Sequence, residues 1–258
     1  MYKRQHLEYV IPFVALAASL LTFLSGFGLG TLLLPVFAVF FPLEASVAMT
    51  AVVHLLNNLF KFGLLWKQVD KGIVLRFGIP AIIGAWLGAL QLAQWEELPA
   101  LYEGMNRPVS LTRLVIGGLM MVFALLELIP AAGRWSLPPR FVVAGGALSG
   151  FFGGLSGHQG ALRSIFLLRT GMSKEVFIAT GVGIALLVDL TRIPVYLRNG
   201  APGAWSEQGW LLLACIVAAF LGAWWGKRLL PKVTVRGVQV AVAVLLFAIA
   251  LGLITGTI

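Results

Sequence analysis

Four polar residues stand at helical spacing in an otherwise apolar run. His54, Asn57, Asn58 and Lys61 occupy positions i, i+3, i+4 and i+7 and so share one helix face. A second apolar run carries Asp189 and Arg192, three residues apart. Asn58 and Asp189 are separated by 131 residues, and so are Lys61 and Arg192. A polar residue followed three positions later by a cation therefore occurs twice. These types offer anion recognition and proton transfer. A guanidinium fork fits the oxygens of a sulfonate or carboxylate better than an ammonium does. A histidine changes charge near neutral pH. Polar side chains at bilayer depth are costly, so each needs a partner, a cavity or a function.

Two glycine-rich stretches precede these runs: Gly26, Gly28 and Gly30 in one, and Gly157-His158-Gln159-Gly160 in the other. Each is expected to break a helix and to aim exposed backbone N–H groups at a shared midplane site, as anion sites at half-helix N-termini do. Arg163 follows Gly160 by three residues, where a cation opposes the helix dipole and asks for an anion nearby.

The candidate substrate-binding residues are thus Arg192, Arg163, Lys61, Asn57, Asn58, Gln159, Gly28, Gly30, Gly160, Thr50 and Thr180. Asp189, His158 and His54 are the candidates for proton coupling. Plainer roles compete at each position. The asparagines also suit interhelical hydrogen bonds. Lys61 is close enough to the basic loop at Lys67 to snorkel toward it. Asp189 and Arg192 fit an i, i+3 ion pair, and Arg163 fits a pairing with Asp189. His158 fits a hydrogen bond to backbone, and the two threonines fit bonds to their own helix carbonyls.

The elements that must position these groups are membrane helices. The chain has 258 residues, of which 59% are hydrophobic and 11% charged. Soluble domains carry roughly 25% charged residues, and apolar runs near the length of a bilayer span recur here. Continuous runs, not alternating ones, exclude a β-barrel. The net charge of +9 is explained by Lys and Arg at loop ends, not by nucleic acid. The single cysteine, Cys215, excludes an intrachain disulfide and a cysteine metal cluster. No metal and no cofactor is expected.

The predicted spans run from about 9 to 27, a short piece 31–41, then 45–66, 73–92 and 114–129. After a linker they continue at 141–155, a short piece 161–168, then 176–197, 210–225 and 238–253. The 9–27 span resembles a signal peptide in charge pattern but aligns with 141–147, so it reads as a retained span. The short pieces are either re-entrant or broken crossings. The second set repeats the first, which divides the chain into repeats at 1–130 and 141–258 with a linker at 131–140. Gly84 and Gly88 recur as Gly222 and Gly226, 138 residues on, and read as close helix packing.

Equivalent loops differ in charge. Lys67, Lys71 and Arg76 answer to a loop holding Glu207, while Glu96, Glu97 and Glu103 answer to Lys227, Arg228, Lys232 and Arg236. Opposite bias places equivalent loops on opposite membrane faces, which means inverted repeats of four to five helices. Five crossings per half, ten in all, would leave Lys3 and Arg4 outside, whereas four crossings and a re-entrant piece per half would place them inside but make the repeats parallel; the loop charges favour the inverted arrangement.

Taken together, the chain resembles the TauE/SafE permeases, the sulfite-exporter and sulfonate-permease group. The resemblance rests on Gly26-Phe27-Gly28-Leu29-Gly30 followed by Pro35, on Ala48-Met49-Thr50 with its loose counterpart Ala179-Thr180-Gly181, and on the duplication. It implies a bacterial cytoplasmic (inner) membrane transporter of sulfite, sulfonates or related carboxylates, and not an enzyme. The second half departs from the family pattern, reading GHQGALRSIF without proline. The implied partners are a small anionic substrate, membrane lipid and a coupling ion, H+ or Na+; a homodimer is left open. A passive anion channel would share the same site without coupling. Gly154-Leu155-Ser156-Gly157 also has the form of an intramembrane serine protease motif, but no histidine follows His158 to activate the serine.

Overall fold

A computed structural model describes residues 10–25, 29–129, 135–199, 208–229 and 235–258. Within them the regular structure is helical, apart from one small hairpin. Five helices come first: α1 (Val10–Ser25), α2 (Leu29–Phe40), α3 (Leu43–Leu65), α4 (Lys71–Glu96) and α5 (Leu111–Leu128). Five follow: α6 (Val142–Ser156), α7 (Gln159–Leu167), α8 (Lys174–Arg198), α9 (Gly209–Leu229) and α10 (Val235–Thr255). The chain is an all-α polytopic membrane protein, as its composition requires. Among the described residues, four helices are long and apolar enough to span a bilayer: 43–68, 71–96, 174–198 and 209–226.

Local chemistry sets the ends. Asp70 caps α4, its side chain accepting from the Ile73 N–H at 2.9 Å. That cap draws Lys71 and Arg76 into the helix, so the basic loop expected there is shorter than the charge pattern implied. Ser173 caps α8 in the same way. α6 ends at Gly157, whose φ of 81° is the left-handed conformation that glycine adopts freely. The acidic loop carries a feature not foreseen, an antiparallel pairing of Tyr102–Glu103 with Pro108–Val109. Its turn is strapped to the end of α10, with the Met105 N–H donating to the Thr255 carbonyl at 2.9 Å.

The two short pieces are helices, α2 of 12 residues and α7 of 9. They rise only about 18 Å and about 14 Å, well short of a bilayer core. Gly26 and Gly28 lie outside the described residues, as do Lys3, Arg4 and the linker's 130–134.

The helices of one half pack on those of the other: α4 lies on α6, α1 on α9, α5 on α10, and α3 on α8. Glycine makes the closest of these contacts. A Cβ on Gly146, Gly150 or Gly154 of α6 would lie within 2.2 Å of the carbonyls of Phe77, Ala81 and Ala85 on α4. Gly84 and Gly88 meet the Ala147 and Phe151 carbonyls in return, and Gly222 meets that of Leu16. Leu16 and Ala147 lie 131 residues apart, the same spacing that separates Asn58 from Asp189 and Lys61 from Arg192. The residue order shows α4 and α6 to be parallel. α3 and α8 run antiparallel: His54 faces Asp189, while Gly183 faces Phe62 and Thr180 faces Asp70.

The α4–α6 seam generates a first expectation. Gly150→Leu forces side-chain atoms into the Ala81 backbone and should destabilise the purified protein by about 1–3 kcal/mol or more. Gly118→Ala, at a position with nothing within 4 Å, should be neutral. Thermal unfolding of the two variants in detergent decides between a packed seam and a loose one.

Candidate functional site

α3 and α8 cross where their polar residues lie. Nδ1 of His54 donates to Asp189 Oδ2 at 2.6 Å. The Asn58 amide reaches the other ring nitrogen, Nε2, at 3.3 Å. The second carboxylate oxygen, Oδ1, accepts from Arg192 Nε at 3.0 Å and lies 2.9 Å from Nη2. Arg192 Nη1 donates onward to the Gly153 carbonyl at 2.9 Å, on the last turn of α6. Tyr196, one turn along α8, donates to the next carbonyl, that of Gly154. Asp189 and Arg192 are fully buried. The pairing of Asp189 with Arg192 is therefore realised, and Arg192 also ties α8 to α6.

Gly157, at the break between α6 and α7, and Gly30, in the first turn of α2, both lie against this chain of contacts. A Cβ on Gly157 would lie 3.0 Å from Arg192 Nη1. A Cβ on Gly30, in the first turn of α2, would lie 3.3 Å from the Gly157 carbonyl and 3.8 Å from the His54 ring. Glycine at these positions lets the two half-helices and His54 approach.

Asn57 and Lys61 belong to a separate group, although they share a helix face with His54 and Asn58. With its amide turned to suit its neighbours, Asn57 donates to the Ala219 carbonyl and to Ser19, and accepts from Lys61 Nζ at 3.1 Å. Lys61 is 1% exposed, so it does not snorkel toward the basic loop. It is held between α1, α3 and α9.

α7 carries a third group. His158 is its N-cap residue but makes no side-chain capping bond. Its Nδ1 lies 3.1 Å from Ser156 Oγ, and its ring stacks on Phe123 at 5.3 Å between centroids. The Gln159 peptide carbonyl accepts from Ser149, and the Gly160 carbonyl accepts from Ser164. Three side chains here, His158, Gln159 and Arg163, are buried. Among the described residues, His158 Nε2, both amide atoms of Gln159 and Nη1 of Arg163 have no hydrogen-bond partner. Arg163 makes no ion pair with Asp189, unlike the pairing its sequence position allowed. Its guanidinium lies along Gly181 of α8 instead.

Of the threonines, Thr180 lies away from the crossing and accepts the Asp70 N–H at 2.9 Å, joining α8 to the α4 cap. Thr50 is buried one turn before His54, with its hydroxyl unpartnered among the described residues. Gly28 lies outside the described residues. Four participants were missed in the sequence: Tyr196, Ser19, Ser149 and the aromatic partner Phe123. Only Tyr196 had a signal, its place one turn beyond Arg192. No group of three or more His, Cys, Asp or Glu side chains among the described residues is placed to hold a metal.

A family model described as "Sulfite exporter TauE/SafE" matches residues 11–253. The chain belongs to the TauE/SafE family. The match spans both halves and the whole cluster at the α3–α8 crossing, so the resemblance carried by the glycine-rich breaks is borne out. TauE/SafE membership makes this an integral membrane protein of a transporter family, not of an enzyme family. No match to the chain was found among curated proteins or among solved structures.

The buried pair in this TauE/SafE protein has a measurable consequence. Removing one charge of a buried pair leaves the other uncompensated, at a cost of about 3–5 kcal/mol. Asp189→Asn should therefore lower stability sharply. Asp189→Leu combined with Arg192→Met should lie far closer to wild type than the single change. Unfolding midpoints of the three proteins in detergent provide the comparison. A mild effect of Asp189→Asn would mean that the carboxylate does not compensate Arg192.

Proposed function

We propose that this TauE/SafE protein is a secondary transporter of small sulfur-containing or organic anions, namely sulfite, sulfonates or related carboxylates. Its place is the bacterial cytoplasmic membrane. The observation that carries the reading is the approach of the α2 start at Gly30 and of the α6–α7 break at Gly157 to a buried His54–Asp189–Arg192 chain at the α3–α8 crossing. A transporter needs a site that is polar, buried and built where rigid elements from two bodies meet. Half-helix N-termini supply donors there without further charge.

Two inverted repeats, 1–130 and 141–258 joined at 131–140, supply those two bodies. The antiparallel run of α3 against α8 supports this reading. So do the corresponding glycine contacts of Gly84 with Ala147 and Gly222 with Leu16. A two-fold axis lying in the membrane plane relates helices in that way. The site lies at the interface, near the axis.

Coupling follows from the same contacts. His54 holds its proton between ring and carboxylate, and Asp189 shares itself between His54 and Arg192. Protonation of the carboxylate would release both partners and loosen the tie that Arg192 makes between α8 and the end of α6. This gives proton-coupled movement a physical route: the proton acts on the ion pair that holds the helices beside the anion. Sodium is the alternative coupling ion.

Reconstitution into proteoliposomes tests the proposal. Labelled sulfite uptake should rise several-fold under an imposed pH gradient, and His54→Gln should lose that dependence while retaining downhill flux. A sodium gradient applied alone serves as the second arm. Flux that follows only the anion's own gradient in the wild type would make the protein a passive channel, and absence of flux for sulfite, taurine and acetate alike would overturn the anion reading.

A further inference from the structure

The residue expected to bind the anion directly, Arg192, is already committed. Its guanidinium is neutralised by Asp189 and bound through Nη1 to the Gly153 carbonyl, with Nη2 lying on the carboxylate without a further partner among the described residues. Arg163 differs in charge compensation. It is 6% exposed, its Nη1 has no hydrogen-bond partner among the described residues, and no carboxylate among them lies within ion-pair distance of it. An uncompensated guanidinium at that depth is costly unless an anion joins it. Gln159 stands one turn earlier on α7, so the two side chains share a face. It is 2% exposed, and both its amide oxygen and its amide nitrogen lack partners among the described residues. The structure leaves room for the pair. Gly181 of α8 lies against the Arg163 guanidinium, with Nε 3.3 Å from where a Cβ would stand. Gly153 of α6 lies against Gln159 in the same way, at 3.0 Å.

Resting on the transporter reading, we propose that Arg163 and Gln159 form the anion seat, between α6, α7 and α8, and that it selects a monoanionic oxyacid which itself carries a hydrogen-bond donor. Arg192 then acts as a positioning residue that holds α8 against the α6–α7 break. The charge count sets the anion's charge. Asp189 offsets Arg192, which leaves Arg163 as the uncompensated cation beside the α6–α7 break, and so one negative charge to be supplied there. The donor count sets its protonation. Arg163 Nη1 and Gln159 Nε2 each donate to ligand oxygens, while Gln159 Oε1 accepts and so needs an O–H or N–H from the ligand. Hydrogen sulfite meets all three demands with its O–H as donor, and so does a hydroxyalkylsulfonate. A sulfate dianion or a simple alkylsulfonate brings no donor and would leave Oε1 buried and unpaired. The uncapped start of α7 adds backbone N–H groups beside the seat.

The test is equilibrium binding of labelled sulfite to detergent-purified protein, competed by methanesulfonate, 2-hydroxyethanesulfonate and sulfate. For wild type, 2-hydroxyethanesulfonate should compete at least ten times better than methanesulfonate, and sulfate should compete worst. Gln159→Leu should weaken sulfite binding at least tenfold and abolish the preference for 2-hydroxyethanesulfonate, with the unfolding midpoint near wild type because no buried polar atom is left behind. Arg163→Lys should weaken every anion alike. Arg192→Lys should lower stability more than it alters the order of competitors. Wild-type affinity and competitor order in Gln159→Leu would overturn the seat while leaving the transporter reading intact, even if Arg163→Lys fails to fold. Absence of binding by any of these anions to wild type would instead remove the transporter reading, and the seat with it.

Discussion

A charge inside a bilayer must be met by another charge, and this constraint orders the structure. Asp189 and Arg192 sit near the middle of α8, where water cannot offset them. Their pairing answers part of the problem, and the remaining donors of Arg192 must go elsewhere. One of them, Nη1, goes to the Gly153 carbonyl, where α6 is about to end. The ion pair thereby fixes α8 to the break in α6, and His54 adds α3 to the same knot. Three helices from both halves are held by one carboxylate.

That knot requires the backbones around it to come close. Small residues permit it. Gly146, Gly150 and Gly154 let α6 lie on the carbonyls of α4, and Gly30 lets α2 approach the Gly157 carbonyl. In a membrane there is little hydrophobic drive to press helices together, so van der Waals fit and hydrogen bonds carry the association. Glycine therefore does in this protein what bulky side chains do in a water-soluble core. The largest buried side chain beside the site is Arg192 itself, which fills space as well as carrying charge.

Legibility followed the range of the signal. The glycine pairs Gly84/Gly88 and Gly222/Gly226 read as close packing, and those described in full make it; their spacing on a helix is a local property. The i, i+3 pairing of Asp189 with Arg192 was likewise one of two readings that spacing allowed. The same spacing misled at α3. His54, Asn57, Asn58 and Lys61 share a face, yet that face is divided between two neighbours, α8 on one side and α1 with α9 on the other. A shared stripe says which residues face inward and not which helix receives each of them. Arg163 shows the limit in another way. Sequence position allowed a pairing with Asp189, but the carboxylate's two oxygens are already taken by His54 and Arg192.

The sequence by itself determined the class of molecule, its family, the ten helical segments among the described residues and the break between α6 and α7. Those follow from hydropathy and from glycine, proline and capping residues, which act over a few turns of chain or are carried as pattern. The tertiary structure decided which cation is spent and which is left over. Arg192 and Arg163 are the same residue type, each buried beside the α6–α7 break. Only the crossing of α3 over α8 brings His54 and Asp189 together, and only that packing turns Arg192 toward α6 while Arg163 lies along Gly181. Compensation of charge depends on distances of about 3 Å between residues far apart in the chain, and no local pattern specifies such distances.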